Sequence, residues 1–484
     1  MKKNSEKPLE NTPDRKNQLQ RLLPVLPLLF ALTGSLLVIT RELWFDEALT
    51  LMSFVLPLTP GEIYISYIIP NNQIVYSIML NIWTAIADLT GVVTDYVLFW
   101  RMLSVIAAMA SLILFIQLRE KMDKHIFPAV LVLCTMTVST VFVNYATALR
   151  GYAVSWLFVT MALYGLYNIF HGKAAAGWIT YILAALLAVG TVPTNLLALA
   201  AALLYALPWM QEQFWRDKRF YLAGAVVPLA LILFYAPIAG KFLATFKLGE
   251  GFATRNGALG MVVGMYIASF GILLLFAPWG IEKKSWQHTL RYMIWLFPAA
   301  AILILHKAPF PRVFVTLLPV LAMLVTDGMA KVLEKNWKSW HLVLFFMLSL
   351  AIQLMLIPGG VLLSGKYGIS DVEDDFFRPY YMAKSYQPCA AALEIKDFAN
   401  GQPVFFSFNS DPLPMRFYSQ INGIDIKRYA SDIPYNSVKA LPDRTVIVLN
   451  ETEDPAQFEK RFNCKLTFIK KINRIKLYNA IKAQ

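Results

Sequence analysis

Asp46 and Glu47 stand side by side in Leu43-Trp44-Phe45-Asp46-Glu47-Ala48, just after the first long apolar run of the chain. Paired carboxylates among aromatics suit two tasks. A general base needs a carboxylate kept basic by local desolvation, and a charge organiser needs one that faces cations. An aromatic belt carrying solvated charges is the competing explanation. Cations occur at the ends of other apolar runs: Arg101 in Arg101-Met102-Leu103-Ser104, Arg150 in Ala148-Leu149-Arg150-Gly151-Tyr152, and Lys307 and Arg312 around Pro309-Phe310-Pro311. Any one of them could snorkel. Taken together at one depth they suit a phosphate, whose oxygens a guanidinium binds in bidentate fashion.

What must position these residues is a membrane. The 484 residues are 57% hydrophobic and 15% charged, against roughly 45–50% and about 25% for soluble domains. Mean hydropathy is +0.52. The apolar residues gather in uncharged blocks of about 18–20, the length that crosses the hydrocarbon, and there are too many blocks for a soluble core. Their lengths predict about eleven spans. These are Leu22 to Thr40, Trp100 to Leu118, Ile126 to Val143, Tyr152 to Phe170, two within Trp178 to Met210 broken at Thr191-Val192-Pro193-Thr194-Asn195, Tyr221 to Gly240, Gly257 to Trp279, Tyr292 to His306, Val313 to Thr326, and His341 to Leu363. Ile74 to Ala87 is apolar but short, and reads as a helix lying at the interface.

Lysine and arginine set the expected orientation. Lys2, Lys3, Lys7, Arg15, Lys16 and Arg21 place residues 1–21 in the cytoplasm as a polar tail. The run that follows lacks a small-residue cleavage site near its end and reads as a retained span. Residues 22–363 then form a membrane domain with a long first outer loop, 41–99. Residues 364–484 form an extracytoplasmic domain of a plasma (inner) membrane protein. The net charge of +13 is explained by this topology; no basic, aromatic-interleaved patch points to nucleic acid.

The C-terminal segment has the composition of a small α/β domain. Val404 to Phe408, Thr445 to Leu449, Lys465 to Ile472 and Ile475 to Ala480 read as strands. Helices are expected over Asp411 to Ile421, with Asp411 near the cap, and after Asp454-Pro455, where proline takes the first helical position. No glycine-rich phosphate loop is present. Of the three cysteines, Cys134 lies in an apolar block; Cys389 and Cys464 are open to a disulfide or to two separate thiols. No metal-ligand cluster is visible, so no cofactor is assigned.

The order and spacing of these motifs resemble the GT-C class of membrane glycosyltransferases, close to the protein-mannosyltransferase and aminoarabinose-transferase-like families. The first-loop acidic pair of that class is matched by Asp46 and Glu47. Its second first-loop motif corresponds to Pro70-Asn71-Asn72-Gln73-Ile74-Val75-Tyr76, its second-span arginine to Arg101, and its Glu-x-Arg-x-Tyr motif to Arg150 and Tyr152, with Ala148 in place of the glutamate. Its late Pro-Arg-Tyr motif corresponds to Pro311 and Arg312, with Val313 in place of the tyrosine. The resemblance implies a sugar transferase that uses a polyprenyl-phosphate-linked donor and an acceptor lipid, glycan or protein. Asp46 would orient or deprotonate the acceptor, with Glu47 as its helper or substitute. Arg150, Tyr152, Arg312, Lys307 and Arg101 would bind the donor phosphate, and Asn72, Gln73 and Tyr76 would position donor or acceptor. A transporter and a catalytically inactive scaffold of the same fold are the alternatives.

Overall fold

The computed structural model describes residues 22–66, 72–91, 96–210, 216–248, 255–281, 286–304, 311–334, 338–367, 388–399, 401–407, 412–421, 441, 444–451, 453–472 and 475–482. Most of them are helical. Every apolar segment named above carries helix. They are α1 (Val25–Val38), α5 (Tyr96–Met122), α6 (Phe127–Thr137) with α7 (Thr140–Ala146), α8 (Tyr152–Phe170), α9 (Ala174–Thr191), α10 (Asn195–Tyr205), α11 (Lys218–Tyr235), α13 (Arg255–Phe270), α15 (Phe297–Ile304), α16 (Leu318–Glu334) and α17 (Ser339–Tyr367). The shorter helices are α2 (Phe45–Thr50), α3 (Pro60–Ile65), α4 (Ile74–Thr90), α12 (Ala239–Leu248) and α14 (Trp286–Arg291).

Among the described residues, six helices are long and apolar enough to cross a membrane on their own, and a bent pair makes a seventh. Exposed side chains support that setting. Leu229, Ile232 and Leu233 on α11 are each more than half exposed, an arrangement water would penalise and lipid would not. The chain is an integral membrane protein.

Local sequence explains the breaks. Val192 is extended ahead of Pro193, as the residue before a proline prefers. Pro193 has no N–H for the Val189 carbonyl, which instead accepts from the Tyr235 hydroxyl at 3.0 Å, and Asn195 donates to the carbonyl of Ala188 at 2.8 Å. The predicted single run Ile126 to Val143 is instead two helices, α6 and α7, bent by 73°. Ser139 starts the second one: its hydroxyl accepts from the Phe142 N–H at 3.1 Å. Gly165 of α8 and Gly177 of α9 let those helices touch, since a Cβ on Gly177 would lie 2.7 Å from the Ile169 nitrogen.

The C-terminal part is a small α/β unit. It comprises α18 (Pro388–Ala399), β1 (Val404–Phe406), α19 (Pro412–Ile421), β2 (Thr445–Asn450), α20 (Pro455–Phe462), β3 (Cys464–Ile472) and β4 (Ile475–Lys482). Strand order is β1-β2-β4-β3. β1 and β2 are parallel, and the other pairs are antiparallel. α20 begins as its sequence predicts: Asp454 accepts from the Ala456 N–H at 3.0 Å, and Pro455 takes the first turn. Asp411, the expected cap of α19, lies outside the described residues. All three cysteines are free, so Cys389 and Cys464 are separate thiols.

Candidate active site

The first loop folds back onto the bundle through α2, and Asp46 and Glu47 lie in its first turn. Both are buried, Glu47 completely. Their surroundings differ. Glu47 Oε1 accepts the Leu149 N–H at 2.8 Å and lies 3.5 Å from Arg41 Nη2. Oε2 accepts from Arg101 Nη2 at 2.7 Å and from the Trp44 N–H at 3.3 Å. The Trp44 bond closes the N-terminus of α2 in the manner of half a capping box. Burial pushes the Glu47 pKa up. The Arg101 and Arg41 charges and the Leu149 N–H outweigh it and hold the carboxyl below its ordinary range.

Asp46 faces the other way. Its Oδ2 lies 2.8 Å from Arg312 Nη2 and 3.8 Å from Arg150 Nη2. Its side chain is 12% exposed, against 5% for Arg150 and 6% for Arg312. The Thr50 hydroxyl donates to the Asp46 carbonyl at 2.9 Å and accepts from Arg150 Nη1 at 3.4 Å. The Arg312 guanidinium lies over the Trp44 ring, 5.3 Å from its centroid, a cation–π contact. This half of the site is an acid held between two guanidiniums at a partly accessible surface.

Arg101, Arg150 and Arg312, which start from three different chain segments, therefore do meet on one acidic pair. Their partners differ from those the sequence suggests. Arg101 is fully buried. Its terminal nitrogens donate to Glu47, to the Ile39 carbonyl at 2.9 Å, to the Glu42 carbonyl at 3.2 Å and to the Arg41 carbonyl. That geometry braces the loop and presents no face to a donor phosphate. Glu47 is sealed from solvent and engaged by Leu149, Trp44, Arg101 and Arg41.

Asn72, Gln73 and Tyr76 are also turned inward. The Asn72 amide donates to the carbonyls of Ile63 and Ser66 at 3.0 and 3.4 Å, and its oxygen accepts from Ser77 at 3.1 Å. Gln73 Oε1 accepts the Gly151 N–H. The Tyr76 hydroxyl meets Ser104 Oγ at 3.1 Å, and Ser104 donates to the Ala148 carbonyl at 2.7 Å. All three are at most 4% exposed. Gln73, and Tyr76 through Ser104, tie the start of α4 to the Ala148–Gly151 turn that carries Arg150, while Asn72 ties it to the end of α3. A Cβ at Gly151 would collide with Thr191, which accounts for glycine at this close approach. Tyr152 is buried, its ring 4.9 Å from that of Tyr145. Lys307 lies outside the described residues.

Sequence reasoning did not assign Arg41 or Thr50 to the site. Thr50 sits four residues after Asp46, one helical turn on, which is the signal that would have found it. A second polar cluster also went unpredicted. Arg119 forks onto Asp123 with two 2.7 Å bonds and donates to Asp327 at 2.7 Å. Asp327 also pairs with Arg291 at 3.0 Å and accepts from Tyr205 at 2.8 Å. Both clusters hang on α5, and the helical rise from Arg101 to Arg119 separates them by about 27 Å. They mark opposite ends of the bundle. Among the described residues, no group of three His, Cys, Asp or Glu side chains converges as a metal site.

No family model and no curated protein sequence matches the chain. Among solved structures, the fold is similar to that of ArnT from Cupriavidus metallidurans in the apo state, with a TM-score of 0.57 over 96% of this chain and 98% of that one. Sequence identity is 9%, so the likeness is one of fold. An ArnT-like fold fits the mostly helical membrane architecture expected from the sequence.

Proposed function

We propose that this protein transfers a sugar from a polyprenyl-phosphate-linked donor to an acceptor lipid, glycan or protein at the extracytoplasmic face of the membrane. The observation that carries the reading is Asp46 held between Arg150 and Arg312 at the partly accessible end of a GT-C-like bundle. The topology that goes with it has eleven crossings, a cytoplasmic N-terminus and an extracytoplasmic C-terminal unit. The likeness in fold to ArnT supports a lipid-linked sugar as the donor class.

In this reading Asp46 orients the acceptor hydroxyl and takes its proton. The acceptor oxygen attacks the anomeric carbon, and the bond from that carbon to the phosphate oxygen breaks. The lipid phosphate leaves with an added negative charge. Arg150 and Arg312 meet that charge, and donors aimed at developing charge stabilise a transition state most in a poorly hydrated site. The contact of Arg312 with Asp46 then has a function before the donor arrives: it keeps the carboxylate aimed.

The test is transfer from a radiolabelled polyprenyl-phosphate sugar by the purified protein in detergent. Asp46→Asn keeps shape and removes basicity, so turnover should fall by about 10²–10⁴-fold while the protein is still expressed and folded. Wild-type turnover in Asp46→Asn would refute the reading.

A further inference from the structure

The first loop is gripped from two sides. Residues 39–44 lie outside helix and strand, so their backbone groups need partners that no ladder provides. From the bundle, Arg101 takes the carbonyls of Ile39, Arg41 and Glu42. From the C-terminal unit, the Tyr418 hydroxyl accepts the Leu43 N–H at 2.8 Å. The Cys389 N–H donates to Glu42 Oε2 at 2.6 Å. Phe417, beside Tyr418 on α19, meets Trp100 edge-on at 5.9 Å, next to Arg101 in sequence.

These links are placed where they matter for Asp46. Leu43 is fully buried and immediately precedes Trp44. Trp44 carries the Arg312 guanidinium on its ring and accepts the first backbone bond of α2, from the Ala48 N–H at 3.0 Å. A shift of the Leu43 backbone therefore moves both members of the Asp46–Arg312 pair. A sub-ångström error in such a pair is costly, because a reacting group must be held in near-attack geometry.

We propose that Tyr418 is a positioning residue: through its bond to Leu43, the C-terminal unit sets the register of the loop that carries Asp46. Its hydroxyl does not reach the reacting atoms; it acts through the backbone. This rests on the transferase reading for its kinetic consequence, but the structural claim is independent of it.

The experiment compares wild type, Tyr418→Phe and Glu42→Ala by backbone hydrogen exchange and by steady-state transfer from a polyprenyl-phosphate sugar. Tyr418→Phe keeps the ring and leaves the Leu43 N–H buried without its acceptor. Exchange in peptides covering 42–50 should then rise about tenfold, the cost of one lost neutral hydrogen bond, with spans distant from the loop unchanged. The turnover number kcat should fall by a similar factor while KM for the donor holds, since a misaimed carboxylate affects the chemical step more than donor binding. Glu42→Ala, which breaks the neighbouring link, should raise exchange in the same peptides. Unchanged exchange in 42–50, a rise spread evenly over the chain, or wild-type kcat in Tyr418→Phe would each overturn the proposal. Should wild type transfer no sugar, the transferase reading falls, and the exchange data alone decide whether Tyr418 holds the loop.

Discussion

Glu47→Gln separates the organiser from the reacting acid most sharply. Oε1 of Glu47 accepts from Leu149 and pairs with Arg41 at 3.5 Å, and Oε2 accepts from Trp44 and Arg101. A glutamine has one acceptor oxygen. Whichever way the amide is turned, its NH₂ points at an N–H, and Arg101 and Arg41 lose the charge between them. Glu47 and Arg101 are both fully buried, so no solvent screening softens the loss. Removing one partner of a buried pair costs about 3–5 kcal/mol, a factor on the order of 10²–10⁴ in the folding equilibrium. Thermal and denaturant unfolding in detergent would read it. The sign of the pH dependence follows from the lowered pKa. The wild-type advantage is fully present above the ordinary value of 4.5, where the carboxylate is ionised in both states. It is lost as pH falls through the lower folded-state value. The gap between wild type and Glu47→Gln should therefore be flat from neutrality to about pH 5 and narrow below. A destabilisation under about 1 kcal/mol, within the range of an ordinary surface change, or a gap that widens on acidification, would refute the assignment.

The arginines facing Asp46 should behave differently. Arg150→Lys keeps the charge and loses the planar fork, so partial transfer should remain, whereas Arg150→Ala should lose far more. The Arg150→Ala/Arg312→Ala double variant should be less than additive in log turnover if both hold one phosphate. Lys241, whose ammonium caps the Ile65 carbonyl at 2.6 Å on an exposed surface, is the control; equal small losses in Lys241→Ala and Arg150→Ala would remove the phosphate argument. At the opposite end, Asp327→Ala takes the carboxylate from Arg291 and one of two from Arg119 and should lower stability by about 3–5 kcal/mol, read as a drop in the unfolding midpoint; an unchanged midpoint would show that the cluster is dispensable.

Much of the architecture could be read from period and punctuation. The break before Asn195 was visible because Pro193 interrupts an apolar block too long for one span. The four strands of the C-terminal unit and the Asp454-Pro455 start of α20 came from alternation and capping chemistry, and all appear within a few residues of their expected bounds. The bend between α6 and α7 was hidden because both halves are apolar and no proline separates them; Ser139 alone marks it. The surroundings of Arg101 were hidden for a similar reason. A buried brace and an anion ligand are the same residue at the same span end, and only the three backbone carbonyls around it tell them apart. The grip of Tyr418 on Leu43 had no sequence signal at all, since its partner is a backbone N–H some 375 positions away.

The division of labour within the acidic pair follows from helix geometry. Neighbouring residues on an α-helix point about 100° apart, so Asp46 and Glu47, one position apart in the first turn of α2, cannot face the same partners. One rotation sends Glu47 into the sealed seam between α1, α5 and the Leu149 turn, where Arg41 and Arg101 neutralise it. The other leaves Asp46 at the rim with Arg150 and Arg312. The buried acid is held by three hydrogen bonds and the Arg41 charge, and it is fully buried. The rim acid pairs with Arg312 at 2.8 Å and stands 3.8 Å from Arg150, at the partly accessible edge of the pair. In the proposed reaction a donor phosphate would be received between Arg150 and Arg312, and exchange of the 2.8 Å Arg312–Asp46 bond for one to phosphate would release the carboxylate to the acceptor.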